Sequence, residues 1–321
     1  MVLEELILHY YLKVFSLIIV AILIIFFLYA FSVLNKELEI SDRIIIKKGE
    51  KIENLLNKKI NDLTKIESII INIYFKVSNL LLNKFIHFGE FQIKNNVSAL
   101  SLLEIISNPS NIIYRITIIE GWSNEQLKFE LSKYFKNTKN IPYEKIIADT
   151  YFFEKNSNFE TFVETLIKRK SKYMNNFKNN IIYKKFTENE IMIIGSIIEK
   201  EGLGREDKKK ISSVIFNRLN KNMKLQIDAT VIYAITNGQY NLKRKLLFKD
   251  LKTDHPFNTY IYNGLPPKPI SYVGRETLDI IFENYKTDFL FYFFNNSLKR
   301  HIFSKTYAEH KKKLNDYRNK K

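Results

Sequence analysis

Phe186-Thr187-Glu188-Asn189-Glu190-Ile191-Met192-Ile193-Ile194-Gly195-Ser196-Ile197-Ile198-Glu199-Lys200-Glu201 is the stretch from which the rest of the chain can be read. Thr187 can accept from the N3 amide while Glu190 reaches back, a capping box, and Phe186 and Ile191 occupy the hydrophobic-staple positions. The spacing predicts a helix that ends at Gly202-Leu203-Gly204. Ile191, Ile194 and Ile198 fall at i, i+3 and i+7, and the next position on that stripe is Glu201. Glu199 lies about 200° away, on the stripe of Met192 and Ser196. Glu201 is therefore expected to close an apolar stripe, and Glu199 is not. A carboxyl group against apolar neighbours loses hydration of its charged form, so it can keep a proton near neutral pH, as a general acid must. The competing reading is a last-turn acid paired with Lys200 or Arg205. Gly195 costs about 1 kcal/mol relative to Ala in mid-helix, which predicts close approach of another backbone.

Downstream, a second helix is expected from about Glu206 to Asn220, with Ile211, Val214, Ile215 and Leu219 on its core face and Asn217 and Arg218 projecting. In Leu225-Gln226-Ile227-Asp228-Ala229-Thr230, Asp228 suits either an N-cap or a cleft position. Asp254 to Tyr260 leads into Asn263-Gly264-Leu265-Pro266-Pro267, a loop whose polar and aromatic groups suit a sugar cleft or ordinary turns. Phe289 to Phe294 reads as an apolar strand. His301 and His310 stand nine residues apart, which is poor metal-ligand spacing, and no metal is expected.

Upstream, Val14 to Leu34 carries no charge, Gly or Pro over a length of roughly 30 Å, the thickness of a bilayer's hydrocarbon core. An uncleaved membrane anchor over 14–34, after a short flank of 1–13, fits better than a signal peptide with its shorter apolar region. Lys36, Arg43, Lys47 and Lys48 follow it, against Lys13 with Glu4 and Glu5 before it. The positive-inside rule alone would put the body inside the cell, although long domains translocate regardless of flanking charge. Residues 43–108 read as a small α+β module: a strand at Ile44-Ile45-Ile46, helices around Leu55 and over Ile66–Leu82, a strand over Phe85–Ile93, and a helix from Ser98. Ile112–Ile119 reads as a strand, Ser123 as the N-cap of the next helix, and 136–186 as mostly helical except at Asp149-Thr150-Tyr151. The fold class expected is α+β behind one membrane helix.

The chain has 321 residues and a formal net charge of +17, with 51 Lys and Arg against 34 Asp and Glu. The basic residues are scattered, with no run longer than three, and no nucleic-acid-binding motif is present, so the charge reads as compositional bias and no nucleic-acid partner is expected. There is no Cys, which excludes disulfides, thiolate metal sites and Cys nucleophiles.

Six stretches in order resemble the YceG-like endolytic murein transglycosylases. They are Ser196–Glu201, Val214–Leu219, Met223–Tyr233, Asn258-Thr259-Tyr260, Asn263–Pro267 and His301–Phe303 through His310, spanning core motifs over 187–312. Two departures stand out: Ala229 replaces the family's usual Pro after Asp228, and Lys268 follows Pro267 where a small residue is usual. The resemblance implies a LysM-like module over 43–108 and a catalytic domain over 112–318. It implies Glu201 as the catalytic acid, acting between MurNAc and GlcNAc to leave a 1,6-anhydro end, with no cofactor. It further implies peptidoglycan glycan strands as substrate, cell-wall synthases as partners, and a catalytic domain outside the cytoplasmic membrane. Glu199, Asn217, Gln226, Asp228, Asn258, Thr259 and Tyr260 become the expected substrate-binding or Glu201-orienting residues. The rival reading is a membrane-anchored protein that holds glycan without cutting it.

Overall fold

The computed structural model describes residues 2–47, 49–60, 62–93, 97–154 and 157–319. Lys48, one of the cations flanking the apolar segment, lies outside the described residues. The architecture is mixed α+β, with a long apolar helix at the N-terminus, and the chain divides into two compact units.

The first unit comprises Met1–Tyr114 with Phe153–Ser157. Helix α1 (Val2–Asn35) contains a span, His9–Asn35, long and apolar enough to cross a membrane, with a mean hydropathy of 3.1. It leads into β1 (Glu37–Leu38), β2 (Arg43–Ile46), α2 (Ile52–Lys59) and α3 (Lys65–Leu82). The unit then adds β3 (Gly89–Gln92), β4 (Val97–Ser98) and α4 (Ala99–Ile106). β2 pairs antiparallel with β3, Ile44 opposite Phe91, and β1 pairs antiparallel with β4, Leu38 opposite Val97. Leu55, Leu56, Ile71, Phe91, Leu102 and Ile106 close a common core, and Val33 near the end of α1 is buried in it. Ser98 caps α4 as the sequence suggests, accepting from the Ser101 amide at 3.1 Å. The strand expected over Phe85–Ile93 shrinks to Gly89–Gln92, because β2 offers only four residues to pair.

The second unit comprises Arg115–Phe152 with Asn158–Lys321. Strand β5 (Tyr114–Thr117) and helix α5 (Asn124–Ser132) open it, with Ser123 and Gln126 forming a capping box. Residues 136–149 are not helical as expected: Pro142 begins a single 3-10 turn, and β6 (Thr150–Phe153) follows. Helices α6 (Phe159–Asn175) and α7 (Ile181–Lys185) lead to α8 (Glu188–Glu201), α9 (Arg205–Asn220) and α10 (Asp228–Thr236). Helix α11 (Arg275–Glu283), the antiparallel hairpin of β7 (Phe291–Asn295) and β8 (Arg300–Ser304), and α12 (Tyr307–Asn319) complete it.

Helix α8 is the core of this unit. Its capping box forms, with the Thr187 amide donating to Glu190 at 2.7 Å and the Glu190 amide to Thr187 at 3.3 Å. Every residue from Ile191 to Ile198 is buried, so the helix has no solvent face between its first and last turns. That corrects the single apolar stripe: a helix apolar all round is a central one, packed from all sides. At Gly195 the close neighbour is a side chain rather than the expected backbone, since an added Cβ would lie 2.6 Å from Val273 Cγ1. Gly202 ends α8 in an extended conformation, φ −80°, not a left-handed one. Its missing side chain makes room for Lys208, whose Cγ would lie 2.3 Å from an added Cβ.

Candidate active site

The last turn of α8 delivers two acids to different places. The Glu199 side chain is 2% exposed. Its Oε1 accepts from the Gly274 amide at 2.9 Å and its Oε2 from Lys208 Nζ at 2.6 Å. Lys208 also donates to Thr277 Oγ1 at 3.0 Å. Glu199 is thus a satisfied ion pair joining α8, α9 and α11. It is not among the described residues that line the cavity at Glu201.

Glu201 ends α8 at the wall of a cavity of about 620 Å³. Its Oε1 accepts from the Ala229 amide at 3.3 Å, and its Oε2 from the Tyr292 hydroxyl at 3.2 Å. Neither Lys200 nor Arg205 pairs with it: Lys200 donates to the Gly121 carbonyl at 3.3 Å and Arg205 binds Glu283 at 3.0 Å. Burial pushes the Glu201 carboxyl above the usual carboxylate range, and the nearby charge of Asp228 adds to the shift. The Ala229 amide, the Tyr292 hydroxyl and His301 oppose it. Burial, then the Glu201 carboxylate, holds the Tyr292 hydroxyl well above the ordinary tyrosine range. It therefore stays a donor to Glu201 across the working pH range.

Asp228 lies on the cavity lining and is not a helix cap. Ile227, not Asp228, is the N-cap of α10, and its own side chain makes no capping hydrogen bond. The Glu201 carboxylate instead occupies the free amide of Ala229, where a helix N-terminus favours negative charge. Asp228 is exposed at the cavity, its Oδ1 accepting from the Tyr260 hydroxyl at 2.6 Å. Burial raises the Tyr260 hydroxyl, and Asp228 raises it further.

The other expected residues divide cleanly. Gln226 and Tyr260 line the cavity with Glu201 and Asp228. Asn258 is fully buried, its Nδ2 donating to the carbonyls of Leu251 and Thr253 at 3.1 and 2.8 Å. Thr259 is 2% exposed, its Oγ1 accepting from the Ile227 amide at 3.0 Å and lying 2.9 Å from Thr230 Oγ1. Asn217 donates to the carbonyls of Thr287 and Phe289 at 2.7 and 2.9 Å. These three are not among the residues that line the cavity. They satisfy buried backbone acceptors and donors that would otherwise be orphaned, and so fix the loops that carry Asp228 and Tyr292. Of the 254–267 loop, Tyr260 alone lines the cavity among the described residues.

Three participants escape the motif reading. Tyr292 lies 91 residues from Glu201 in sequence, and nothing local marks it. The Ala229 amide is a backbone group, invisible by residue type. Arg218, expected to project from its helix, is instead buried: it sits seven residues after Ile211 and four after Val214, on the core stripe of α9. Its guanidinium donates to the carbonyls of Leu290 at 2.6 Å, Lys224 at 3.0 Å and Leu225 at 2.8 Å, and to Gln226 Oε1 at 3.3 Å. Gln226 has a left-handed backbone, φ +52°, which is unfavourable for a residue with a Cβ. Arg218 and the Gln226 amide, donating to the Thr259 carbonyl at 3.1 Å, hold that turn in place. His301 turns its Nδ1 to Asp207 Oδ2 at 2.8 Å and sets its ring edge-on to Tyr292.

The result is a pocket with a desolvated carboxyl, a second carboxylate beside it, two tyrosine hydroxyls, and apolar walls that include Phe248 and Phe293. Such a mixture suits a sugar, whose ring faces are apolar and whose edges carry hydroxyls.

A family model described as the YceG-like family matches residues 44–316. The chain is 35% identical over 183 residues to an endolytic murein transglycosylase of Bacillus subtilis, covering 57% of this chain and 49% of that one. It is 27% identical over 173 residues to an endolytic murein transglycosylase of Streptococcus pneumoniae, covering 54% and 31% of the two chains. The chain thus spans about half the length of the first of these relatives and about a third of the second. A crystal structure described as a yceG-like protein of Listeria monocytogenes superposes with a TM-score of 0.54 at 25% identity, covering 84% of this chain and 98% of that one.

Proposed function

This chain belongs to the YceG-like family, and we propose that it is a membrane-anchored endolytic lytic transglycosylase acting on peptidoglycan glycan strands. The observation that carries the reading is the state of Glu201. It is a carboxyl group desolvated in a sugar-sized cavity, without an ion-pair partner among the described residues and with a like charge beside it. That environment favours the protonated form, which is the form a general acid uses.

In the proposed reaction Glu201 gives its proton to the oxygen between MurNAc and GlcNAc. The bond from that oxygen to MurNAc C1 breaks, and positive charge develops on the MurNAc ring. The C6 hydroxyl of the same sugar then closes on C1, and its proton passes to the Glu201 carboxylate. The acid is regenerated, no water is consumed, and the strand keeps a 1,6-anhydro end. Asp228, anchored by Tyr260, lies where its charge lowers the energy of the cationic intermediate and keeps Glu201 protonated beforehand. Tyr292 and the Ala229 amide hold the two Glu201 oxygens in a fixed orientation. Gln226 is placed to bind sugar. Glu199, Asn217, Asn258 and Thr259 act one layer behind, on the position of these groups.

In this proposal α1 is an uncleaved anchor, residues 43–108 form a LysM-like module, and residues 112–318 form the catalytic domain on the outer face of the cytoplasmic membrane. Cell-wall synthases are the proposed partners, with strand cleavage ending their products. The test is product analysis of murein digested by the wild type and by Glu201→Gln. Anhydro-ended strands are expected from the wild type alone. The same ends from both proteins, or from neither, would reject the role of Glu201.

A further inference from the structure

Helix α3 has three faces when its residues are placed at 100° intervals. Ile70, Ile71, Phe75 and Ser78 are buried against the first unit's core. Ser68, Asn72, Lys76 and Asn79 form a polar face, from which Asn72 and Lys76 reach Glu53 at 2.6 and 3.3 Å. The third face, Ile66, Ile69, Ile73, Val77 and Leu80, is apolar, and every member is between 47 and 82% exposed. A continuous exposed apolar stripe of this kind marks an interaction surface, not the ordinary scatter of exposed apolar residues.

What adjoins the stripe identifies its occupant. The last turns of α1 enter the same core: Val33 is buried there, and Ala30 and Leu34 pack on it. Lys36, directly after α1, donates to the Asp62 carbonyl and to Glu67 Oε1, both at 2.9 Å. Glu67 is the N3 residue of α3, in a capping box with Thr64. The first turn of α3 is therefore fixed to the end of the helix that is long enough to cross a bilayer. Ile66 precedes Glu67 and Ile69 follows two residues after it, so the stripe begins where α1 emerges.

We propose that α3 lies against the lipid bilayer crossed by α1, with its apolar stripe in the boundary between headgroups and acyl chains. The inference rests on the reading of α1 as a retained anchor. An amphipathic helix with this division of faces binds membranes through buried apolar area, and Lys65 at its margin suits anionic headgroups. The contact holds the small module down on the membrane, so that it does not swing on a single tether.

The chain has no Cys, so single-Cys reporters can be introduced cleanly. The full chain, reconstituted into phosphatidylethanolamine and phosphatidylglycerol vesicles, would carry bimane at Ile69→Cys or Ile73→Cys on the stripe. Ser68→Cys and Asn79→Cys report the polar face, and Ile22→Cys reports α1. Each is quenched by nitroxide-bearing lipid and, separately, by aqueous iodide. We expect the two stripe positions to be quenched several-fold more by lipid than the two polar-face positions, and the reverse for iodide. Stripe positions open to iodide while Ile22 stays in lipid would overturn the proposal and leave the anchor standing. Stripe positions shielded from both quenchers would mean a protein or glycan cover, which also overturns it. A water-exposed Ile22 would reject the anchor reading, and the proposal with it.

Discussion

Glu199 and Glu201 show what a pattern of side chains reveals and what it hides. Helical phase separates the two acids, and they do point to different places. Phase alone does not give the reason they differ chemically. Both carboxyl groups are desolvated; one has Lys208 within 2.6 Å, and the other has Asp228 and two neutral donors. The deciding partners come from α9, α10 and β7, distances in sequence that periodicity cannot bridge. The consequence for Glu201 can be measured in two ways. A carboxyl whose folded pKa is raised costs stability as pH rises above its unfolded value, and the cost is complete above its folded value. Glu201→Gln removes that cost while keeping one acceptor oxygen, for the Ala229 amide, and turning its NH2 towards the Tyr292 hydroxyl oxygen, which can accept. It is expected to stabilise the fold at neutral pH by about 1 kcal/mol, or about 2–4 °C in Tm. The gain should vanish near pH 4 in a thermal series, while activity falls by about 10²–10⁴-fold. Tyr292→Phe removes a donor that favours the charged carboxylate, so the Glu201 pKa should rise further. The alkaline limb of the pH–activity profile is then expected to move to higher pH. A uniform loss of activity at every pH would mean that Tyr292 only packs.

At the scale of elements, the capping boxes at Thr64, Ser123 and Thr187 begin helices; local chemistry marks Thr187 as a box and Ser123 only as an N-cap. Less legible was what surrounds each helix. The apolar run of α8 reads equally as one strong stripe or as a helix buried on all sides, and only its neighbours decide. Gly195 carries that information in compressed form, since the site of its missing Cβ is taken by Val273. Gly195→Ala is expected to destabilise by about 1–3 kcal/mol through overpacking, measured by denaturant midpoint, and Val273→Ala in the same chain should recover most of the loss. Arg218 ties α9 to β7 and to the turn at Gln226 through four acceptors. Arg218→Gln would orphan several of them at once, and a cost of about 2–3 kcal/mol is expected. Arg218→Lys should not rescue, because one ammonium cannot span acceptors arranged for a planar fork. Recovery of wild-type stability by Lys would show that charge alone matters here.

For the whole molecule, two properties could each bring the chain to a membrane. One is the net charge of +17, which attracts any anionic surface. The other is α1, whose His9–Asn35 span is both apolar and almost wholly unburied by the rest of the chain. Flanking charge bears on which side the body lies, not on which of these attractions holds the chain. Salt separates the two attractions. At 1 M salt the Debye length falls to about 3 Å, and attraction between exposed charges and headgroups is largely lost. Burial of an apolar helix is not weakened by the same treatment, and strengthens slightly with salts excluded from protein surfaces. The chain is therefore expected to stay with sedimented membranes through 1 M NaCl and through alkaline carbonate, and to leave them only in detergent. Its mass in that fraction should include α1. Release by salt at full mass would assign the attachment to charge, and a shortened chain in the soluble fraction would show that α1 is removed as a signal.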